Sequence, residues 1–150
     1  MTPVRSVAVL NGPNLDRLGA RQPALYGDMP WPELVALVQE WARELGLSAA
    51  VSQAAGEGEL VQLVHAAGRD CAGIVLNAGA YTHTSVALRD AVLSVAVPIV
   101  EIHLTNPARR EAFRHVSHLS DVVTGTVQGF GAVGYRLALV GLADLLARRK

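Results

Sequence analysis

The sequence predicts a doubly wound α/β domain, one parallel sheet of five strands with helices against both faces. Five short β-prone runs recur at residues 6–10, 47–52, 72–76, 97–103 and 122–127. Segments of helical periodicity stand between them, and strands that alternate with helices pair in parallel and are covered on both sides. The 150 residues contain no linker, repeat, low-complexity stretch or abrupt change of composition, so a single domain over 1–150 accounts for them.

Taken in order, the first strand, 6–10, runs into Asn11-Gly12-Pro13-Asn14, a turn-rich exit. The stretch 15–29 follows, long for a strand-to-helix connection, where roughly 2–6 residues are usual, and it reads as a lid. Over 32–45, Leu34, Val38, Trp41 and Leu45 recur at helical spacing; Pro32 suits the start of that helix and Gly46 its end. Further helices are expected at 59–67, 84–95 and 132–149, with a shorter one at 108–115. The basic cluster Arg148-Arg149-Lys150 closes the last helix, where cations suit the negative end of its dipole. The flavodoxin-like strand order fits this length, and in such sheets ligands sit beyond the carboxyl ends of the strands, near the point where strand order reverses.

Composition removes several classes of function. Half the chain is hydrophobic (51%) and 17% is charged, which argues against disorder. No apolar run approaches the roughly 20 residues needed to span a bilayer, and the first residues lack a secretory signal, so a cytoplasmic protein without membrane contact is expected. With 13 basic and 13 acidic residues there is no global attraction to nucleic acid. The one cysteine, Cys71, beside an apolar run, is expected to be a buried structural thiol and excludes a multi-cysteine metal site. Lys150 is the only lysine, so no internal amine is present for Schiff-base chemistry. The run Gly129-Phe130-Gly131-Ala132-Val133-Gly134 matches G-x-G-x-x-G, but no strand follows the helix it opens, and tight strand-to-helix packing explains it better than a dinucleotide.

Chemistry-bearing residues gather at the strand ends. The first strand leads to Asn11 and Asn14. The third leads to Asn77, Gly79, Tyr81, Thr82 and His83. The fourth contains Glu101 and His103 and leads to Thr105 and Asn106. Each has a purely structural explanation: an Asn can bond its own turn, Thr84 or Ser85 can cap a helix, and Glu101 and His103 share a strand face and can satisfy each other. Their coincidence at three strand ends favours a site. In the expected lid, Arg21 and Tyr26 form a candidate base pair: a phenol titrates near 10, and a neighbouring guanidinium favours the phenolate.

Three separated blocks then show a likeness to a known family. Asn11-Gly12-Pro13-Asn14-Leu15, followed by Leu18-Gly19, Arg21, Pro23 and Tyr26-Gly27, resembles the amino-terminal signature of type II 3-dehydroquinate dehydratases. The block from Asn77 to Asp90 is similar to the central motif, and Glu101-Ile102-His103-Leu104-Thr105-Asn106 to the third, with Arg110-Glu111 and Phe113-Arg114 at the expected spacing. The resemblance implies a cofactor-free and metal-free hydro-lyase that reversibly converts 3-dehydroquinate to 3-dehydroshikimate through an enolate, a step of the shikimate pathway and of quinate breakdown. It implies Tyr26 as base, activated by Arg21, which also stabilises the transition state. Asn14 would position a water, and His103, oriented by Glu101, would act as acid. Asn77, His83, Leu104, Thr105 and Arg114 would hold the substrate, and trimers assembling to a dodecamer would bring Asp90 into a neighbouring subunit's site. The chain departs from the family pattern at Gln22, Ala54, Ala55, Pro107, Ala108, Val116 and His118. The alternatives are a non-catalytic flavodoxin-like binding module and an inactive relative kept as a scaffold. The first would want clustered acids after the first strand or a Ser/Thr-rich phosphate loop. The second has no evident need for Arg21, Tyr26, Glu101 and His103 together.

Overall fold

The computed structural model describes residues 3–18 and 28–149. Its strands are β1 (Arg5–Asn11), β2 (Leu47–Gln53), β3 (Gly73–Asn77), β4 (Ile99–His103) and β5 (Gly125–Gln128), and its helices α1 (Trp31–Glu44), α2 (Glu57–Asp70), α3 (Val86–Ser94) and α4 (Val133–Arg148). The five strands form one sheet in the order β2-β1-β3-β4-β5, every pairing parallel. This is the doubly wound, flavodoxin-like arrangement the alternating pattern predicts.

Side-chain alternation along the strands sends two sets of residues to opposite faces. Val7, Val9, Val75, Val100 and Ile102 join Leu34, Val38 and Ala42 of α1 and Tyr135, Leu139 and Leu142 of α4 in one core. Ala8, Leu10, Ile74, Leu76 and Ile99 join Leu60 and Val64 of α2 and Leu88 and Val92 of α3 in the other. Each fully buried side chain of this size contributes roughly 1.5–3 kcal/mol by leaving water. The chain leaves β1 toward α1 and leaves β3 toward α3, on opposite faces, so a crevice opens between the carboxyl ends of the two strands.

The local signals explain most boundaries. Pro32 lies in the first turn of α1, and Gly46, at φ 73°, supplies the left-handed residue that ends it. Ser85 caps α3 by accepting the Leu88 N–H at 2.9 Å. The expected helix over 108–115 is instead two 3-10 turns, Pro107–Arg109 and Ala112–Arg114. Arg110 between them is extended, and the His115 ring donates to its carbonyl at 2.8 Å, which holds the break open. β5 starts at Gly125 rather than 122, because the N–H groups of Val122 and Val123 are bonded to the Leu119 carbonyl in a turn. Cys71 is half-buried rather than buried, near the Ser6 hydroxyl at the start of the sheet.

β1 and β3 touch as they leave the sheet. Asn11 pairs with Asn77, and the Gly12 N–H continues the ladder to the Asn77 carbonyl at 2.8 Å. A Cβ on Gly12 would stand 2.3 Å from the Ala78 carbonyl oxygen, a backbone atom with nowhere to go. Gly12→Ala is therefore expected to lower stability by about 1–3 kcal/mol and to spread the two strand ends. Gly58→Ala in the first turn of α2, where nothing lies within 4 Å, is expected to raise it by about 0.4–1 kcal/mol. Urea denaturation of both variants checks the contrast.

Candidate active site

The crevice at these strand ends is a pocket lined by Asn14, Asn77, His83, His103, Thr105 and Arg114, with Leu104 and Arg110 also on its wall. Apart from Arg110 and Arg114, which belong to the 3-10 segment beyond β4, these residues come from a strand end or the turn after it, so the sheet fixes their spacing. Asn14 is the one non-glycine with positive φ (70°) among the described residues; its side chain does not cap the turn that follows. An L-residue there costs about 1–2 kcal/mol, and the strain falls where the chain must turn an amide toward the pocket.

Glu101 and His103 form the pair that their spacing on one strand suggests. The Glu101 side chain is fully buried. Its Oε2 accepts the His103 Nε2–H at 2.7 Å and lies 2.5 Å from the Thr82 hydroxyl and 2.8 Å from that of Ser117. Its Oε1 accepts the Ser120 hydroxyl at 2.6 Å. Burial by itself would push this carboxyl up. The hydrogen bond and charge of His103, with the Ser120 and Thr82 hydroxyls, outweigh burial and hold it at about 2, below its ordinary 4.5. An ionised carboxylate can only accept, so Nε2 of His103 carries a proton toward Glu101, and Nδ1 is the nitrogen left for the pocket.

His83 is set the opposite way. Its Nδ1 lies 2.8 Å from the Val116 carbonyl, which can only accept, so Nδ1 donates and Nε2 remains for the pocket. Burial, the neighbouring His103 and Arg114 lower its pKa from the ordinary 6.5, against the Val116 hydrogen bond. At neutral pH its free nitrogen is an acceptor. The two imidazoles stack with centroids 6.3 Å apart and planes at 19°.

The cationic wall comes from the two 3-10 turns. The Arg114 Nε donates to Glu111 at 3.3 Å, and Arg110 donates to the Thr105 hydroxyl at 3.3 Å. Guanidinium groups at the rim of a pocket with histidine and asparagine lining suit an anionic, hydroxylated ligand. Among the described residues no group of three or more His, Cys, Asp and Glu is placed to hold a metal, and no helix is long and apolar enough to cross a membrane.

Seven of the residues expected from sequence therefore meet at one place: Asn14, Asn77, His83, His103, Leu104, Thr105 and Arg114, with Glu101 directly behind His103. Asp90 does not join them; it is exposed on α3. Arg21 and Tyr26 lie outside the described residues, as does most of the expected lid. Sequence reading did not single out Arg110 as a site residue, although its spacing of four from Arg114 was visible. It also missed Ser117 and Ser120, which lie beside the departures at Val116 and His118 in a segment without periodic signal. The glycine-rich run is the turn into α4: Gly129 and Gly131, both at positive φ, donate their N–H groups to the carbonyls of His103 (3.2 Å) and Leu104 (2.9 Å) and so brace the end of β4.

The family model for dehydroquinase class II matches residues 5–143. The chain belongs to that family. A 3-dehydroquinate dehydratase of Ruegeria pomeroyi is 54% identical over 142 residues, 95% of each chain, and one of Mycobacterium tuberculosis is 49% identical over 138 residues, 92% of this chain and 94% of that one. The crystal structure of a type II dehydroquinase from Propionibacterium acnes matches with a TM-score of 0.91 at 42% identity, covering 96% of this chain and 99% of that one. The resemblance carried by three motifs and the match to the class II family model lead to the same family.

A carboxyl held near 2 when folded and near 4.5 when unfolded stabilises the fold fully above about pH 4.5, and that contribution is lost as pH falls toward 2. For a fully buried group the amount is on the order of 3 kcal/mol. Glu101→Gln should therefore be less stable than the parent at neutral pH but show a shallower fall in urea midpoint between about pH 5 and pH 3. An equal fall in both proteins would mean that Glu101 is not the titrating group.

Proposed function

We propose that this chain eliminates water from 3-dehydroquinate to give 3-dehydroshikimate, as a type II hydro-lyase without a cofactor. The observation that carries the reading is the Glu101–His103 pair. A buried, ionised Glu101 locks one imidazole nitrogen, and the other is presented to a pocket ringed by amides, a neutral imidazole and guanidinium groups. With the His103 ring doubly protonated, that second nitrogen carries the proton handed to a departing hydroxyl, which is general acid catalysis worth about 10²–10⁴-fold. The family match over most of the chain and the names of its relatives support the same reaction.

The remaining roles follow the chemistry of the step. Tyr26, its phenolate favoured by Arg21, takes a proton from the carbon beside the ketone. The electron pair moves to the ketone oxygen, and a water held by Asn14 donates to the enolate, with Arg21 adding positive charge as the negative charge develops. The enolate then expels the hydroxyl two carbons away, and that hydroxyl leaves as water with the His103 proton. Asn77, His83, the backbone at Leu104 and Thr105, and Arg114 hold the hydroxyls and the carboxylate. Within the connection 15–29, Leu15 and Leu18 are packed in the core, and the part that carries Arg21 and Tyr26 is assigned as the lid. In this reading the protein works in the cytoplasm as a homo-oligomer, trimers assembling to a dodecamer, and Asp90 completes the site of a neighbouring subunit. Its exposure on α3, away from its own pocket, supports that placement, and so do the exposed apolar residues Val133, Leu137 and Val140 along α4.

Growth of the ultraviolet enone signal when protein alone is added to 3-dehydroquinate, unaffected by borohydride, is the expected result. Tyr26→Phe should fold and assemble yet lose about 10²–10⁴ in kcat; substantial residual turnover would remove Tyr26 from the role of base. A flat trace from folded parent protein would favour a binding module or an inactive scaffold. Mixing inactive Asp90→Ala with inactive Tyr26→Phe subunits under exchange conditions should restore activity, and demonstrated mixing without rescue would confine each site to one subunit.

A further inference from the structure

The phenol of Tyr135 lies under the pocket, fully buried near the start of α4, and none of the proposed chemical steps uses it. Its oxygen sits between two strand-end amides, donating to Asn11 Oδ1 at 2.6 Å and accepting from Asn77 Nδ2 at 3.0 Å. The direction of these bonds is dictated from the far end. The Asn11 Nδ2 group faces the carbonyls of Ser52 (3.0 Å) and Val9 (3.3 Å), which can only accept, so Oδ1 must face Tyr135. A phenol has one proton. Given to Asn11, it leaves the Tyr135 oxygen only as an acceptor, and the Asn77 end that meets it must be the amide nitrogen. Asn77 Oδ1 then points away and takes the Gly79 N–H at 3.3 Å. One proton and one lone pair of the Asn77 side chain are thus committed, and what it can show a ligand is the remaining N–H and the remaining lone pair.

We propose that Tyr135 is a positioning residue for substrate recognition, setting which end of the Asn77 amide faces the pocket. The proposal rests on the reading that Asn77 contacts 3-dehydroquinate. The fold supplies the necessary approach. Gly134, beside Tyr135, lets α4 lie against β4, since a Cβ there would stand 3.2 Å from Ile102 Cδ1. The register Asn11↔Asn77 brings the two amides within reach of one hydroxyl. An amide that flips would exchange the positions of the N–H and the lone pair that Asn77 shows the substrate, and buried polar mismatches of that kind are strongly discriminating.

Tyr135→Phe keeps the ring and removes only the oxygen. It is expected to raise KM for 3-dehydroquinate roughly ten- to hundredfold with kcat changed by less than about threefold, a loss of binding rather than of chemistry. In the Asn77→Ala background the same change should do almost nothing, because there is no amide left to orient. Multiplicative effects of the two substitutions, or a KM unchanged in Tyr135→Phe, would overturn the proposal. If Tyr135→Phe fails to fold, Asn11→Ala frees the Tyr135 proton to turn toward Asn77 and should give the same split and the same dependence on Asn77. A readout independent of turnover is the Asn77 side-chain amide by nuclear magnetic resonance. One of its protons should exchange slowly in the parent and at least tenfold faster in Tyr135→Phe; equal exchange in both would sink the idea. No enone from the parent, with the exchange difference present, would refute the substrate reading and leave the orientation of Asn77 established.

Discussion

An ionised carboxylate inside a β-sheet is costly to bury unless partners replace the water it gives up. Glu101 is buried on the central part of the sheet, opposite Leu76 on one side and Thr126 on the other. Its surroundings are built around that demand. Thr82 comes from the turn after β3, Ser117 and Ser120 from the segment before β5, and His103 from the same strand. The three hydroxyls hold the loops on the α3 side over the strand ends. The same segment that delivers Ser117 also delivers the Val116 carbonyl to His83. Glu101 and the segment that satisfies it thereby set which nitrogen of each histidine is left for the pocket.

Below the pocket the arrangement is neutral but just as directional. Asn11, Tyr135 and Asn77 form a chain in which each hydrogen bond settles the next, anchored on backbone carbonyls of β1 and β2. Burial keeps the Tyr135 phenol well above its ordinary 10, so it remains a neutral donor rather than a charge. The charged network fixes the His103 imidazole and the neutral one fixes the Asn77 amide. Both rely on buried side chains outside the pocket lining, Glu101 and Tyr135, and such support from behind holds a small site to tight tolerances.

Backbone cost is concentrated around the pocket. Asn14 adopts a left-handed backbone at the pocket edge, Gly12 packs where a Cβ cannot stand, and Gly129 and Gly131 turn sharply to brace β4. Elsewhere the elements obey ordinary rules of capping and amphipathic packing.

Sequence alone determined the α/β class, five strands, four main helices and most residues of the site. Strand runs and helical stripes are local patterns, and the three motifs sit where a parallel sheet must place its strand ends. Glu101 and His103 were legible as a pair because residues two apart on a strand share a face. Only the tertiary structure decided that 108–115 breaks into two turns, that Arg110 reaches the pocket beside Arg114, and that Asp90 is exposed and not part of the pocket lining. The same holds for Tyr135, 58 residues from Asn77 and 124 from Asn11 along the chain. Local patterning specifies which face of an element is buried. It carries no information about which distant side chain will supply a buried hydroxyl, because that partner is set by helix docking and strand register rather than by neighbouring residues.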